Sequence, residues 1–582
     1  MKISVVITTY NRRSSLERCL KSLAAQNFPA EQYELVVVAD GCSDSTVEFL
    51  EDFKANCALR WVAIANRGQP AAQNLGVTMA AGEIVLFLDD DCIASPQMVA
   101  AHHEAHAGGE KLVVVGAISV HEDSPAGAVR EVVEELENAE LERLRWEGAG
   151  RRDLLLCANS SIARSAALLF PFDTTYKRIH DVEAGVRLWA AGYRSRFAPG
   201  AVVHELYTKT QKAMMNDARN QGRNEIRLIK SHPEFRQLAG IVRIHQGSWL
   251  KRFTRRQMVL HCGLCDFKLR ILYAIANSLR VIPPFAALAR RILKARMGLA
   301  HLSGALEAAG SWELLEQECG RRIPVMMYHN VGTPRPGEYP GLSTPLLEFE
   351  KQVRFMAKLG FKGIRPSEWL QWRDEGRPLP KHPIMLVFDD AYQEACRTAF
   401  PVLERYEFGA ACMVVTGSVG RENEWDKAAG LPAFQLMEER EILEWKVRGI
   451  EFGGHTRTHP DLRCVPVERV EQEIEQCGGD LTRLLGEKAR SFAYPFGGAN
   501  NVAEDAVRKN FELAFTTDPG WFHLGTNPYR VPRISFLPGE TRFGMWCRLR
   551  LGRNLYEWTR NRWSSVRNRL GGSLKQKDHA PG

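Results

Sequence analysis

Apolar runs that stop at acidic residues occur in both halves of this chain of 582 residues. Residues 84–88 run into three aspartates at 89–91, and residues 384–388 run into two at 389–390. Helical patterns of apolar residues lie between such runs, and the strand–helix alternation repeats along each half. This pattern predicts an α/β protein in which parallel strands are covered by helices. Functional groups collect at the carboxyl ends of such strands, so the acidic runs mark two candidate sites.

A strongly basic segment separates the two halves. Residues 241–300 contain 12 lysines and arginines and a single acid, Asp266. Apolar residues are interleaved with these charges, as in an amphipathic helix. The chain is therefore predicted to consist of a first α/β domain, a basic amphipathic helical linker, a second α/β domain and a basic aromatic tail, at residues 1–240, 241–320, 321–540 and 541–582.

Cysteine usage and hydropathy bear on the cellular compartment. The 13 cysteines show neither a disulfide framework nor a paired zinc-binding pattern. The N-terminus enters a strand directly, without the architecture of a signal peptide. No apolar run approaches the roughly 18 residues that a membrane-spanning helix needs. Together these features predict a cytoplasmic protein.

The acidic run at residues 89–91 needs a physical explanation, because adjacent carboxylates repel each other. Either solvent or a divalent cation must neutralise them. Mg²⁺ and Mn²⁺ prefer oxygen ligands and often bridge one or two carboxylates to substrate phosphates. Asp89 and Asp91 have the spacing to do this, while an ordinary solvated acidic turn is the alternative interpretation.

Five motifs in the first half resemble, in order and spacing, the family 2 glycosyltransferases of the GT-A fold. The resemblance extends over roughly residues 1–230 and implies a Rossmann-like domain that binds a nucleotide-sugar. Each motif alone is weak, but five in sequence order are a specific signal. The motifs are Val-Val-Ile-Thr-Thr-Tyr-Asn at 5–11, Val-Ala-Asp-Gly-Cys-Ser-Asp at 38–44, Asn-Leu-Gly at 74–76, the strand and acids at 82–91, and His-Asp-Val-Glu-Ala-Gly at 180–185.

The resemblance implies roles for the polar residues of these motifs. A nucleotide-sugar donor, expected to be a UDP-sugar, would be bound by Thr8, Tyr10, Asn11, Asp40, Asn74 and Asp89. Asp89 and Asp91 would also hold Mn²⁺ or Mg²⁺ on the diphosphate. Asp181 would be the general base that takes the proton of the acceptor hydroxyl, which gives inversion at the anomeric carbon. Two positions depart from the family pattern: Ala39 replaces the first of two aspartates, and His180 replaces a glutamate.

In the second half, His455 and His459 follow a predicted strand and a Gly-Gly pair. One turn-like pass of the chain would present both imidazoles on one side. With a carboxylate from Asp389 or Asp390, they could form a two-histidine, one-aspartate metal site with open positions for water and substrate. The spacing alone also arises by chance, so the interpretation depends on this structural context.

Three motifs of the second half resemble the polysaccharide deacetylase domain of the NodB type, carbohydrate esterase family 4, over roughly residues 322–540. They are Phe-Asp-Asp at 388–390, His-Thr-x-Thr-His at 455–459 and Phe-Ala-Tyr-Pro-Phe-Gly at 492–497. The resemblance implies a distorted (β/α) barrel. It also implies that Asp390, His455 and His459 bind Zn²⁺ or a similar divalent cation.

The same resemblance assigns the groups that act on the acetamide. Asp389 would be the base that deprotonates the attacking water, and Tyr494 would supply a backbone amide to the oxyanion. The arginine that often orients the base in the third motif is absent. No clear Leu-x-His motif supplies the general acid, for which His523 is the one candidate.

Arginine and tryptophan are frequent again in the tail, as in Trp546, Arg548, Arg550, Trp558 and Trp563. Such a composition, together with the basic segment, favours contact with an anionic membrane surface at the inner face of the cell membrane. A solvated helix, or a segment that covers one domain, is the alternative. Nucleic-acid binding is not expected, because no recognised module for it is present.

The sequence thus predicts a bifunctional enzyme of bacterial-type surface polysaccharide or glycolipid biosynthesis. Its first half would be an inverting, metal-dependent glycosyltransferase, and its second half a metal-dependent N-deacetylase of an acetamido sugar. The acceptor would be a glycan or a lipid-linked saccharide. The alternative is that one half alone is catalytic, while the other is a glycan-binding or scaffolding module.

Overall fold

The computed structural model describes residues 1–109, 111–150, 158–245, 249–319, 322–339, 341–428 and 430–551. The chain divides into two compact units. The first comprises Met1–Ile241 and Leu250–Glu318, and the second comprises Val242–Trp249 and the chain from Cys319 onward. Both units are α/β, as predicted from the strand–helix alternation.

A mixed sheet of eight strands, counted over the described residues, forms the centre of the first unit. Its strands are β1 Ile3–Thr9, β2 Tyr33–Asp40, β3 Ala58–Ile64, β4 Ile84–Asp89, β5 Cys92–Ala94, β6 Leu112–Val120, β7 Asn159–Ala163 and β8 Arg194–Glu205. The order across the sheet is β3-β2-β1-β4-β7-β6-β8-β5. The first four strands are mutually parallel, so Thr8, which pairs with Asp89, and Asp40 lie at one edge of the sheet.

Apolar side chains of the central strands pack on both faces of this sheet. Val5 and Ile7 of β1 pack with Leu16 in one buried cluster, and Val6 packs with Phe87 in another. The covering and following helices are α1 Arg13–Ala24, α2 Thr46–Asp52, α3 Gln69–Met79, α4 Met98–Ala105, α5 Ala128–Glu147, α6 Arg164–Leu169, α7 His180–Ala190, α8 Gln211–Ser231, α9 Trp249–Leu260, α10 Cys262–Ser278, α11 Pro283–Ala309 and α12 Trp312–Glu318.

The basic segment predicted as a linker contributes helices to this first unit. Helix α11 packs along α8, and α10 packs along α11. Two glycines make the first contact close, because a Cβ on Gly222 or Gly304 would overlap the backbone of the opposite helix. No helix among the described residues combines the length and the hydropathy needed to cross a bilayer.

The second unit is a parallel, nearly closed barrel. Its described strands are β9 Val325–Tyr328, β10 Asn330–Val331, β11 Ser343–Thr344, β12 Lys362–Gly363, β13 Pro383–Phe388, β14 Ala410–Val414, β15 Ile450–Gly454, β16 Ser491–Ala493, β17 Leu513–Pro519 and β18 Val531–Arg533. The strands from β13 to β18 pair in chain order, and β9 pairs with β13. A bridge between Met326 and Ile534 then brings the end of the sheet back to β9. The predicted distorted barrel is confirmed.

Amphipathic helices surround the barrel. They are α13 Leu346–Lys358, α14 Pro366–Glu375, α15 Gln393–Arg405, α16 Glu424–Ala428, α17 Glu439–Val447, α18 Val467–Leu485, α19 Asn501–Asn510 and α20 Arg542–Leu551. In α18, Val470, Ile474, Cys477 and Leu481 recur at helical spacing and are buried. This arrangement leaves the carboxyl ends of β9, β13 and β15 together at one end of the barrel.

Candidate active sites

The acidic pair of the second unit lies at the end of the fully buried strand β13. Asp390 and Ala391 both adopt positive φ angles, of 70° and 57°. Such angles are uncommon for residues with a side chain, and they turn the chain sharply as it leaves the strand. The turn separates the two carboxylates, so that Asp389 and Asp390 have different partners.

His455 and His459 meet Asp390 at the end of β15. Their Nε2 atoms lie 3.4 Å and 3.2 Å from Asp390 Oδ1. Nδ1 of His455 donates to the Ala493 carbonyl over 2.7 Å, which leaves its Nε2 without a proton when the ring is neutral. The His459 backbone amide donates to Thr456 Oγ1 over 3.0 Å, which fixes the turn between the two histidines.

The three side chains have the chemistry of a metal site. Ligand atoms of Asp390, His455 and His459 lie within 4.8 Å of one another, and all three residues are buried. Among the described residues, Asp390 Oδ1 is buried without a hydrogen-bond partner. Burial would raise the pKa of Asp390, but His459 and His455 hold it well below its usual value. An ionised carboxylate beside two imidazoles fits a divalent cation such as Zn²⁺.

Asp389 is held by an arginine that the sequence interpretation missed. Oδ1 of Asp389 accepts a hydrogen bond of 2.8 Å from Nη1 of Arg533, at the end of β18. Nε of Arg533 donates to the Thr516 carbonyl, also over 2.8 Å. Burial raises the pKa of Asp389, but Arg533 and then His455 lower it, and the net shift is downward. Asp389 is therefore an ionised and oriented carboxylate, as its predicted role as a base requires.

A third histidine lies beside this base. His329 directly follows β9, and its Nε2 is 3.9 Å from Oδ2 of Asp389. The side chain is 28% exposed, so it lines the open end of the barrel. His523, the predicted candidate for the general acid, instead accepts the Gly525 amide in a local turn, at 3.1 Å. Its distance from Asp389 makes His329 a second candidate for the proton donor.

The backbone amide of Tyr494, which was predicted to serve the oxyanion, has a partner inside the sheet, and its oxyanion role stays a prediction. Its backbone amide donates to the Phe515 carbonyl over 3.1 Å, in the ladder between β16 and β17. Its hydroxyl donates to the Tyr529 carbonyl, also over 3.1 Å. Both donors of Tyr494 are thus used within the sheet. The motif lies at the end of a barrel strand, as predicted, and strand pairing gives the Tyr494 amide a carbonyl partner on β17.

Aromatic side chains lie beside the candidate metal ligands Asp390, His455 and His459. Trp425 is stacked on His459, with ring centroids 4.4 Å apart. The ring of Phe496 contacts His459 at 4.9 Å and is 58% exposed. Phe496 also has a φ of 56°, a strained backbone angle that persists only where the surrounding structure holds it. These two rings provide an apolar surface beside the candidate metal ligands.

The acidic run of the first unit is more crowded than its sequence suggested. Arg12 contacts both Asp90 and Asp91, at 3.0 Å and 2.7 Å. Oδ1 of Asp89 accepts a hydrogen bond of 3.1 Å from Gln69 Nε2. Burial, followed by the charges of Asp91 and Asp90, raises the pKa of Asp89 to about 7. The run is therefore not an ordinary solvated turn, because its carboxylates are largely buried and Arg12 neutralises part of their charge.

Two further acids face this run from other elements. Glu205, the last residue of β8, has its pKa raised to about 8 by burial and then by Asp91 and Glu137. Asp181, on the first turn of α7, contributes to the raised pKa of Asp89. The residue before α7, Ile179, has a φ of 55°, which is rare for a β-branched side chain. The predicted base is thus near the predicted metal ligands.

The His180 side chain contacts Gln73 and Phe172. Its Nε2 is 2.9 Å from Oε1 of Gln73, and its ring packs edge-on against Phe172. Burial lowers the pKa of His180. His180, which replaces the usual glutamate, therefore contributes to packing. The role of the neighbouring Asp181 as the base stays a prediction.

The residues predicted to bind the nucleotide-sugar have different surroundings in the structure. Asp40 accepts the backbone amides of Arg67 and Gly68, at 2.7 Å and 2.8 Å, and thereby holds that loop. Asn11 accepts the Ser43 amide over 2.7 Å and holds the loop after β2. Thr8 lies at the end of β1, and Tyr10 is 53% exposed. Nucleotide-sugar binding by these four residues stays a prediction.

The side-chain amide of Asn74 is bonded within the protein, and its predicted role in donor binding stays a prediction. Its Nδ2 donates to the Phe172 carbonyl and its Oδ1 accepts the Phe172 amide, both at 2.9 Å. Both ends of the side-chain amide are therefore committed to one backbone unit. Asn74 ties α3 to the segment that precedes α7.

Comparison with known proteins agrees with the division into two units. Residues 4–153 match the family model described as glycosyl transferase family 2, and residues 376–512 match the model for polysaccharide deacetylase. The chain is 21% identical over 226 residues to a putative polysaccharide deacetylase, YxkH, of Bacillus subtilis (strain 168). That match covers 39% of this chain and 75% of the relative.

Two other relatives cover different parts of the chain. An uncharacterized glycosyltransferase of Bacillus subtilis (strain 168), YfnE, is 38% identical over 117 residues, which is 20% of this chain and 30% of the relative. A poly-beta-1,6-N-acetyl-D-glucosamine N-deacetylase of Staphylococcus aureus (strain MSSA476) is 23% identical over 207 residues. That match covers 34% of this chain and 69% of the relative.

Proposed function

Since the chain carries a family 2 glycosyl transferase domain and a polysaccharide deacetylase domain, we propose that it is a bifunctional enzyme of surface polysaccharide or glycolipid biosynthesis. The first unit transfers a sugar from a nucleotide-sugar donor, and the second removes the acetyl group from an acetamido sugar. The observation that carries the proposal is the buried group of Asp390, His455 and His459 beside the oriented carboxylate of Asp389.

In the proposed deacetylation, Asp389 takes a proton from the water that attacks the acetamide carbonyl carbon. His329 gives a proton to the nitrogen as the carbon–nitrogen bond breaks, and the products are acetate and an amine. A divalent cation held by Asp390, His455 and His459 would supply Lewis-acid polarisation of the carbonyl. Arg533 keeps Asp389 ionised and correctly oriented, and the apolar rings of Trp425 and Phe496 border the sugar.

In the proposed transfer, Asp181 takes the proton of the acceptor hydroxyl, and attack on the anomeric carbon inverts its configuration. Asp89 and Asp91 would hold Mn²⁺ or Mg²⁺, which would offset the charge of the departing diphosphate. Asp40 and Asn11 fix the two loops at the same strand edge, where the nucleotide is expected to bind. The crowding of buried acids around Asp89 supports the requirement for a cation.

The proposed substrates follow from the named relatives and from the chemistry of the two centres. A relative described as acting on poly-beta-1,6-N-acetyl-D-glucosamine supports an N-acetylated glycan as the substrate of the second unit. A UDP-sugar donor and a glycan or lipid-linked acceptor remain the proposals for the first unit. If the two units act in sequence, the glycan lengthened by one is deacetylated by the other.

Paired histidine variants test the deacetylase centre. His329→Gln in the full chain should lower kcat by about 10²- to 10⁴-fold on an N-acetylglucosamine oligomer, while bound zinc stays unchanged. His523→Gln, the matched control, should leave kcat near the wild-type value. If His523→Gln alone abolished turnover, the assignment of the proton donor would be reversed.

A separate measurement distinguishes this proposal from a second unit that only binds glycans. Purified protein loaded with Zn²⁺ should hold one ion per chain at the second unit, and His459→Gln should lose it together with acetate release. Stoichiometric zinc without acetate release from any N-acetylated glycan would favour the binding module. A wild-type protein that neither binds zinc at this group nor releases acetate would refute the proposed centre.

A further inference from the structure

Helix α10 presents an apolar face to solvent. Its exposed side chains recur at intervals of three and four residues, the spacing of one side of an α-helix. They are Leu264, Phe267, Ile271 and Ile275, with exposed fractions of 58%, 59%, 47% and 53%. The turn after the helix continues the surface with Leu279, Val281 and Ile282, all exposed. This set of seven residues is called the α10 face below.

The α10 face is not a consequence of poor packing. On the opposite side of the helix, Tyr273 and Ala276 are buried in a cluster with Ala289 and Leu293 of α11. The helix is therefore anchored to the first unit through one side, and its other side stays apolar. Contiguous exposed apolar surface of this kind is uncommon on soluble proteins and marks a site of contact with a partner.

Several of the basic residues around the α10 face are paired with acids of the same unit. Arg280 and Lys294 form ion pairs with Glu131 and Glu135 of α5, so part of the basic excess is neutralised inside the unit. The single acid of the segment is likewise paired, through its 2.8 Å contact with the Arg296 guanidinium.

Two cations of α10 remain available for an outside partner. Lys268 and Arg270 are exposed, and neither has an ion pair among the described residues. Lys268 lies four residues after Leu264 and Arg270 lies three residues after Phe267, about one helical turn in each case, so both charges lie next to the apolar stripe. Long basic side chains in such positions can bury their stems and extend their charged ends to phosphates.

We propose that the α10 face lies flat on an anionic phospholipid surface. Leu264, Phe267, Ile271 and Ile275 would enter the boundary between headgroups and acyl chains, and Lys268 and Arg270 would contact lipid phosphates. A stripe one helix wide with flanking cations fits a membrane interface better than a water-soluble partner. The proposal does not depend on either enzymatic activity, because it concerns only this surface.

Vesicle flotation of the full chain tests the proposal. Wild-type protein should bind vesicles of phosphatidylcholine mixed with phosphatidylglycerol and bind weakly to phosphatidylcholine alone. The double variant Ile271→Gln/Ile275→Gln should bind the mixed vesicles about tenfold more weakly, because it removes apolar contacts with the lipid. The variant Lys268→Gln/Arg270→Gln should lose the preference for phosphatidylglycerol and its sensitivity to salt.

The control is the double variant Leu347→Gln/Val447→Gln, which changes two apolar side chains that are 73% and 89% exposed in the second unit. It should bind vesicles as the wild type does. Equal binding by wild type and the Ile271→Gln/Ile275→Gln variant would overturn the proposal. So would a dimer, seen by analytical ultracentrifugation, that this variant abolishes, because the α10 face would then be an interface between two copies.

Discussion

Asp389 and Arg533 form a buried ion pair between residues that are 144 positions apart in the sequence. The exposed fractions of the two side chains are 3% and 0%. A buried charge of this kind is costly unless its partner is well placed, so removal of Arg533 leaves an uncompensated carboxylate next to the reaction site. The pair therefore sets the protonation state of the proposed base.

Substitution of Arg533 should alter the pH dependence of deacetylation. Burial raises the pKa of Asp389, and Arg533 is the first of the groups that lower it. Arg533→Met should therefore raise this pKa and move the acidic limb of the kcat/KM profile to higher pH. Arg533→Lys, which keeps the charge, should partly restore the limb. An unmoved limb with only a lower melting temperature would mean that Arg533 has a structural role alone.

Cation binding to the first unit should weaken as pH falls. The pKa of Asp89 is raised to about 7, so below that value a proton competes with the cation for the carboxylate. The affinity for Mn²⁺ should drop by up to about tenfold per pH unit below 7. Titration calorimetry on either side of this pH would measure it, with Asp89→Asn as the control that loses the dependence. A pH-independent affinity would exclude Asp89 as a ligand.

At the scale of elements, the contact between α8 and α11 determines where the basic segment belongs. Gly222 and Gly304 let the two helix backbones approach closely, since a Cβ at either position would overlap a carbonyl oxygen of the other helix. Charged residues across α5 and α11 add ion pairs to the same assembly. Helical periodicity alone predicted the helices, while these contacts explain why they join the first unit.

Two alanine substitutions on α11 should have opposite effects. Gly304→Ala must push α8 and α11 apart and should destabilise the chain by about 1–3 kcal/mol. Gly298→Ala, on the same helix, faces open space and should stabilise by up to about 1 kcal/mol through helix propensity. Urea denaturation followed by circular dichroism measures both. Equal effects of the two variants would show that the α8–α11 contact is looser than described.

At the scale of the whole molecule, each unit contains its own candidate centre. The acids near Asp89 belong to the first unit and the group around Asp390 to the second. The proposed reactions share no residue, so each should proceed when the other is blocked. Coupling between them would arise through a shared glycan rather than through a shared site.

Inactivation of one centre should therefore leave the other reaction unchanged. Asp181→Asn should reduce sugar transfer by about 10²- to 10⁴-fold, with acetate release from a supplied glycan near the wild-type rate. Asp390→Asn should abolish acetate release and leave transfer intact. Mass spectrometry of products from a supplied donor and acceptor reads both reactions at once. Loss of both reactions in either single variant would contradict the independence of the two centres.

Local patterns in the sequence determined much of this protein. The strand and acid runs predicted both α/β folds, and the fold classes and the family resemblances are confirmed. The strand and the Gly-Gly pair before His455, together with its spacing from His459, predicted that the two imidazoles would meet an aspartate, and the structure shows both beside Asp390. These features were readable because strand ends and turns are set by residues that are close in sequence. The part of the aromatic tail beyond residue 551 lies outside the described residues.

Only the tertiary structure decided which side chains meet across long separations. It brought Arg533 and His329 to Asp389, used the amide of Tyr494 within the sheet, and turned Asn74 toward Phe172. It also divided the basic residues into internally paired and available groups, and exposed one apolar side of α10. Strand pairing and helix packing decide such placements. A short motif gives neither the direction of a backbone amide nor the partner of a charge, because both depend on residues far away in the sequence.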